Sequence, residues 1–257
     1  MTSSVILRLA GVLFLTGAPL TNAAPAEAPH EDPVFPCPEK LTYSVEWRLV
    51  TAGIAVIEQK RGAGQGWDLN LNLQSAGLVS RLYKVLDTYK VTTGERFCGS
   101  SAVLDAQEGK KHTLTQLNFN NSRKKIEYNE RNLLKNTTVT NELDKPACTY
   151  EVLGALAALR LAPPEPGRPV SLPVTNGKKL AFARLEAQGK ESLNVGGKSY
   201  STVRYEAFLF DNVLYRRKGR LFIWLADGAG HLPVQLQVHL GFPVGNITIQ
   251  LEKEEKL

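Results

Sequence analysis

Along most of this chain, apolar and polar residues alternate with a period of two. In Leu41-Thr42-Tyr43-Ser44-Val45-Glu46-Trp47-Arg48 the two kinds fall on opposite faces, as a half-buried strand requires, and Trp67-Asp68-Leu69-Asn70-Leu71-Asn72-Leu73-Gln74 repeats the pattern. Residues 53–60 read as a strand between them, and Gly62-Ala63-Gly64-Gln65-Gly66 as a turn, which predicts antiparallel neighbours. In the C-terminal half, Val170, Leu172 and Val174 alternate up to Asn176-Gly177, a favoured hairpin dipeptide, and Leu180 and Phe182 continue beyond it. Gly196-Gly197 marks a further hairpin. Leu221, Ile223 and Leu225 interleave with Phe222 and Trp224, which predicts a strand covered on both faces before a turn at residues 227–230. Val234, Leu236, Val238 and Leu240 then alternate with polar residues, as do Ile247, Ile249 and Leu251.

Helical spacing is confined to two places. Val79, Leu82, Tyr83 and Leu86 recur at it over a short stretch. Residues 149–161 carry more: Thr149 can cap, Glu151 suits the positive first turn, Val152, Leu156 and Leu159 share one face, and Pro163-Pro164 stops the helix. The expected fold is mainly β, a curved antiparallel sheet or open barrel of about a dozen strands with one or two helices, folded around or covered by the helix at 149–161.

The start of the chain reads as a secretory signal over residues 1–23. Arg8 precedes an apolar stretch from Leu9 to Leu15, and Thr21-Asn22-Ala23-Ala24 offers small residues for cleavage. The run is interrupted by Gly11, Thr16, Gly17 and Pro19 and falls short of the roughly 20 residues that cross a bilayer, and no later segment suffices either. Residues 24–36, rich in Pro and Ala, are expected to be an extended tether, with a single β-rich domain over 37–257. An exported chain, periplasmic in a Gram-negative bacterium, is the localisation this implies.

Charge narrows the picture little. The formal net charge of +6 becomes +5 without Arg8, and the short basic runs at 123–125, 178–179 and 216–220 suit either anionic envelope components or ordinary solvated edges and turns. Three cysteines in an oxidising compartment allow one disulfide. Cys98 closes a strand-like segment and Cys148 precedes the stronger helix, so Cys98–Cys148 is the favoured pair, closing a loop of about 50 residues for about 4 kcal/mol. Pairing through Cys37 stays open.

Candidate chemistry is sparse. The chain has no Gly-x-Ser-x-Gly elbow, HExxH, P-loop, dinucleotide glycine fingerprint or CxxC. His231 and His239 would stand roughly 26 Å apart along an extended strand, too far to share a metal without a bend. No metal site, cofactor or nucleic-acid partner is expected. Carboxylates such as Glu46, Glu58, Asp68, Asp87, Asp105, Glu108 and Asp211 are scattered, as on any exposed strand face. Tyr43, Trp47, Trp67, Phe208, Phe210, Phe222 and Trp224 are candidates to line an apolar cavity or to fill the core, and Trp47, Trp67, Phe222 and Trp224 are singled out as ligand-lining.

Glu39-Lys40-Leu41-Thr42-Tyr43-Ser44-Val45-Glu46-Trp47 with Ala52-Gly53-Ile54-Ala55, then Leu82-Tyr83-Lys84-Val85-Leu86-Asp87, Glu108-Gly109-Lys110 followed by Phe119, and Tyr150 with Leu156-Ala157-Ala158-Leu159-Arg160 form an ordered set. It continues in Gly219-Arg220-Leu221-Phe222-Ile223-Trp224-Leu225-Ala226-Asp227 and Leu232-Pro233-Val234. As a set these segments resemble the exported bacterial family labelled domain of unknown function 3108, over essentially all of the chain from Glu39 onward. The resemblance implies an exported, mainly β domain and carries over no catalytic residue. The inferred architecture is also similar to that of the lipoprotein-carrier proteins of the Gram-negative periplasm, whose curved sheet and helical lid hold acyl chains, an analogy of fold alone. Three functions follow in order: a non-enzymatic binder of an apolar or lipid-like ligand, a structural or interaction module of the envelope with a protein or polymer partner, and an envelope hydrolase.

Overall fold

Each strand but one turns back to pair with the next, and the first strand also pairs with the last. The structure is a computed structural model that describes residues 35–241 and 244–257. Strands β1 (Glu39–Trp47), β2 (Val50–Arg61) and β3 (Trp67–Ser75) lead to a short helix, α1 (Gly77–Leu82). Next come β4 (Val85–Thr93), β5 (Gly99–Glu108), β6 (Lys111–Asn120), β7 (Lys125–Asn132) and β8 (Thr137–Asp144), followed by helix α2 (Val152–Leu161). The second half holds β9 (Val170–Thr175), β10 (Leu180–Val195), β11 (Lys198–Phe208), β12 (Gly219–Ala226), β13 (Pro233–Leu240) and β14 (Gly245–Lys256). Together they make one antiparallel sheet in the order β8-β7-β6-β5-β4-β3-β2-β1-β14-β13-β12-β11-β10-β9. The seam joining the two halves sets Tyr43 between Ala55 on one side and Leu251 on the other.

The sheet curls but does not close, because its edge strands β8 and β9 do not pair. The gap is spanned by other means. Gly177, at φ 81°, brings the β9–β10 turn against the inner face of β6 and β7 so closely that a Cβ there would stand 2.2 Å from the Tyr128 ring. Asn141 Nδ2 of β8 donates to the carbonyls of Gly177 and Lys178 at 3.1 and 3.3 Å. On the edge of β9, Tyr150 N donates to Pro173 O and Thr175 N donates to Tyr150 O, both at 2.9 Å. These bonds satisfy backbone groups an edge strand would otherwise leave open.

Helix α2 closes one end of the curled sheet. It begins at Glu151 rather than at the expected cap, Thr149, because Tyr150 is held extended against β9 until that point. The Glu151 carboxylate accepts from Leu153 N at 2.7 Å and from Gly154 N. Thr149 instead offers its carbonyl to Gly99 N at 2.9 Å. Beside it lies the disulfide Cys98–Cys148, with Cα atoms 5.1 Å apart, tying the β4–β5 turn to the entry of α2. At the far end of the helix Arg160 forms an ion pair with Glu39, and its Nε and Nη2 donate to His231 O and Gly230 O, each at 3.2 Å. Phe35 stacks on Phe97 with ring centroids 5.6 Å apart and lies 4.0 Å under the Arg160 guanidinium. The packed chain thus reaches back into the stretch expected to be tether, whose remainder, like the signal and its cleavage site, lies outside the described residues.

Strand directions put the opposite features at the other end: the β1–β2 turn, α1 and the β5–β6 turn. The short helical pattern is realised as α1, with Leu86 outside it in β4 and no α1 residue fully buried.

Candidate functional site

The inward-facing residues of the sheet do not fill the space they enclose. Between them and α2 lies a cavity of about 360 Å³, within the range typical of small-molecule sites. Alternation decides who lines it. Tyr43 of β1, Ile57 of β2, Leu71 and Leu73 of β3, Leu221 and Ile223 of β12, Leu236 and Val238 of β13 and Ile249 of β14 all share the inner face. Alanines at 55, 183 and 207 stand on that face in strands whose other inward residues include Ile57, Leu185 and Tyr205, so missing side-chain volume accounts for part of the void. Val152, Leu153, Leu156 and Leu159 of α2 form one wall, and Leu209, Phe210 and Tyr215 of the β11–β12 loop join it, packed in the same cluster as Leu156 and Leu159.

Polar chemistry at these walls is limited to two tyrosines. Tyr43 is fully buried and its hydroxyl donates to Pro233 O at 2.9 Å, which leaves the ring to face the cavity. Tyr215 lies close to the one buried carboxyl nearby, that of Glu151, whose side chain also bonds Tyr89 of β4. Burial pushes the Glu151 carboxyl up to about 7, and the Leu153 and Gly154 amides and Tyr89 only partly oppose the rise. Both Tyr89 and Tyr215 are raised by burial and by the neighbouring carboxylate. Glu151 is thus engaged in capping α2, and the cavity offers dispersion and desolvation rather than acid–base chemistry.

A smaller pocket of about 220 Å³ at the α2 end includes Cys37, Glu39, Arg160 and His231 in its lining. The Arg160 and Glu39 side chains are 6 and 5 % exposed, and His231 Nδ1 donates back to Arg160 O at 2.9 Å, so these groups latch α2 to β1 and to the β12–β13 turn. The Cys37 thiol is free, and burial with Glu39 beside it pushes its pKa upward, away from the reactive thiolate.

None of the four aromatic residues expected to line a ligand, Trp47, Trp67, Phe222 and Trp224, lines this cavity. Trp67 is fully buried in a separate cluster, stacked 5.9 Å from Phe97 with the Arg61 guanidinium 4.0 Å over its ring. Trp47 ends β1 and its Nε1 donates to Val244 O at 2.6 Å. Phe222 and Trp224 occupy the face of β12 opposite Leu221, Ile223 and Leu225, where Trp224 Nε1 donates to Glu191 at 2.8 Å and Arg220 covers Phe222. Of the wider set of aromatic candidates, Tyr43 and Phe210 do line the cavity, whereas Phe208 packs beneath Arg184. The helical face of Val152, Leu156 and Leu159 lines it in full. The sequence signal for the rest was the aliphatic parity of each strand together with its alanines, which is less conspicuous than tryptophan.

No curated protein matches this chain. Among solved structures it is similar to a β-barrel-like protein of domain of unknown function DUF1849 from Brucella abortus, at 9 % identity and TM-score 0.55 over 86 % of this chain and 98 % of that one. It is also similar to a Bacteroides fragilis protein with a YmcC-like fold, at 10 % identity and TM-score 0.37 over 85 % of this chain and 95 % of that one. The first likeness shows the barrel-like fold and leaves function to the site itself. Residues 42–252 match the family described as Protein of unknown function (DUF3108), and the chain belongs to that family.

Proposed function

We propose that this protein is an exported envelope protein, periplasmic in a Gram-negative bacterium, that binds an apolar or lipid-like ligand in the cavity between the sheet and α2. The observation that carries the reading is the cavity itself, about 360 Å³ with walls of Leu, Ile, Val and Ala and two tyrosines. Apolar wall facing water is unfavourable by roughly 25 cal/mol per Å², and an apolar molecule covering it relieves that cost. The signal-like first residues and the disulfide support export.

Native mass spectrometry of the mature protein isolated from the envelope fraction, followed by organic extraction, tests this. A lipid or other apolar molecule at near-stoichiometric occupancy is expected. A ligand-free mass after mild isolation, with no uptake when envelope lipids are added, would overturn the reading.

A further inference from the structure

We infer that the end of the sheet opposite α2 docks onto an anionic lipid bilayer, an inference that rests on the binding reading above and names where the ligand would be exchanged. At this end the chain leaves large apolar side chains in solvent. Leu49 of the β1–β2 turn is 94 % exposed, and Leu82 and Leu78 of α1 are 76 and 62 % exposed, with Tyr83 half exposed beside them. Single exposed leucines are ordinary, but several brought together mark an interaction surface.

Local bonds bring them together. Ala76 N donates to Ala52 O at 2.8 Å and α1 packs on β2, which sets Leu78 and Leu82 alongside the turn that carries Leu49. Gly109 N donates to Lys84 O at 2.7 Å, and the Tyr83 ring lies against Gly109, so the β5–β6 turn joins the same surface. Basic side chains predominate on these segments. Arg81, Lys84, Lys110 and Lys111 are exposed, residues 76–86 contain no acidic side chain, and Glu108 is the acidic neighbour in the β5–β6 turn. Leucines with flanking basic side chains suit a bilayer interface, the former entering the acyl boundary and the latter meeting anionic headgroups.

The placement fits the cavity. Its α2 end is fastened by the disulfide and the Glu39–Arg160 pair, whereas Leu73 of its lining stands two residues from the end of β3 and the approach to α1. A lipid leaving at that end emerges beside Leu49, Leu78 and Leu82.

Flotation of the mature protein with vesicles of phosphatidylethanolamine and phosphatidylglycerol, against phosphatidylcholine alone, is the test. The wild type is expected to float with the anionic vesicles and to release as salt is raised to about 0.5 M. The Leu49→Asp/Leu82→Asp variant is expected to lose about tenfold or more of the bound fraction, and Arg81→Glu/Lys84→Glu to lose most of it, with thermal unfolding midpoints near that of the wild type. Failure of the wild type to float, or flotation unaffected in both variants, overturns the inference. Crosslinking to an envelope protein that disappears in these variants while vesicles are ignored would also overturn it, in favour of a protein partner. Ligand content of the wild type, read by native mass spectrometry, separates the two claims: an occupied cavity in a wild type that does not float overturns the docking alone, and an empty cavity in a wild type that floats overturns the ligand reading alone.

Discussion

At the α2 end of the sheet a disulfide, a buried ion pair and the stacked rings of Phe35, Phe97 and Trp67 fix the chain, whereas at the α1 end the turns carry exposed leucines and lysines and a six-residue helix with nothing fully buried. Both ends belong to one continuous ladder, so the difference does not come from the strands. It comes from what the connections do: those at the α2 end cover the apolar interior, and those at the α1 end leave apolar groups uncovered. Regions with few buried contacts open at lower free energy than packed ones, so the α1 end is expected to open more readily than the α2 end.

Four comparisons with variants would break or sharpen that contrast. The largest effect is expected from Arg160→Ala, which strands the Glu39 carboxylate in a buried site and should cost about 3 to 5 kcal/mol in urea unfolding. Replacing both partners by methionine should restore most of the loss. Next, Cys98→Ser/Cys148→Ser opens a loop with a sequence separation of 50 and should lower stability by about 4 kcal/mol, read by the same titration.

A pH effect comes third. The Glu151 carboxyl is raised to about 7 when folded, above its value in the unfolded chain, so between those values the folded state holds the extra proton. The contribution of Glu151 to stability therefore falls as pH rises from about 4.5 to about 7, by on the order of 3 kcal/mol. Asp87, raised to about 6 by burial and by Glu108, slopes the same way. Chemical denaturation midpoints at pH 5 and 7.5 should differ in the wild type and much less in Glu151→Gln. An unchanged slope in that variant would remove Glu151 as the source. The smallest effect belongs to the other end, where Leu49→Asp and Leu82→Asp should each change stability by less than about 0.5 kcal/mol in urea unfolding.

Much of the fold was legible because period-two patterning is local. The alternation at 41–48 and 67–74, the turns at 62–66 and 227–230 and the hairpins at Asn176-Gly177 and Gly196-Gly197 all appear where the residues placed them, and about a dozen expected strands became fourteen. What was not legible depended on contacts distant in sequence. Thr149 reads as a cap until Tyr150 is known to lie against β9, 24 residues on at Val174. Phe35 reads as tether until Phe97 and Arg160 surround it. The aromatic residues drew attention as cavity lining, but Phe222 and Trp224 take the other face of their strand, and the void traces instead to Ala55, Ala183 and Ala207. The exposed leucines of α1 and the β1–β2 turn could not be told from core residues by pattern, since alternation and helical spacing report a face and not what covers it.

The most direct test of the binding cavity is to fill it. Delipidated wild type and the separate variants Ala207→Phe and Ala55→Phe, each checked for a cooperative unfolding transition, would be titrated with a fluorescent fatty acid. Saturable one-site uptake by the wild type and its loss in a folded variant are the expected results. No uptake by the wild type, or equal uptake by the folded filled variants, would contradict it.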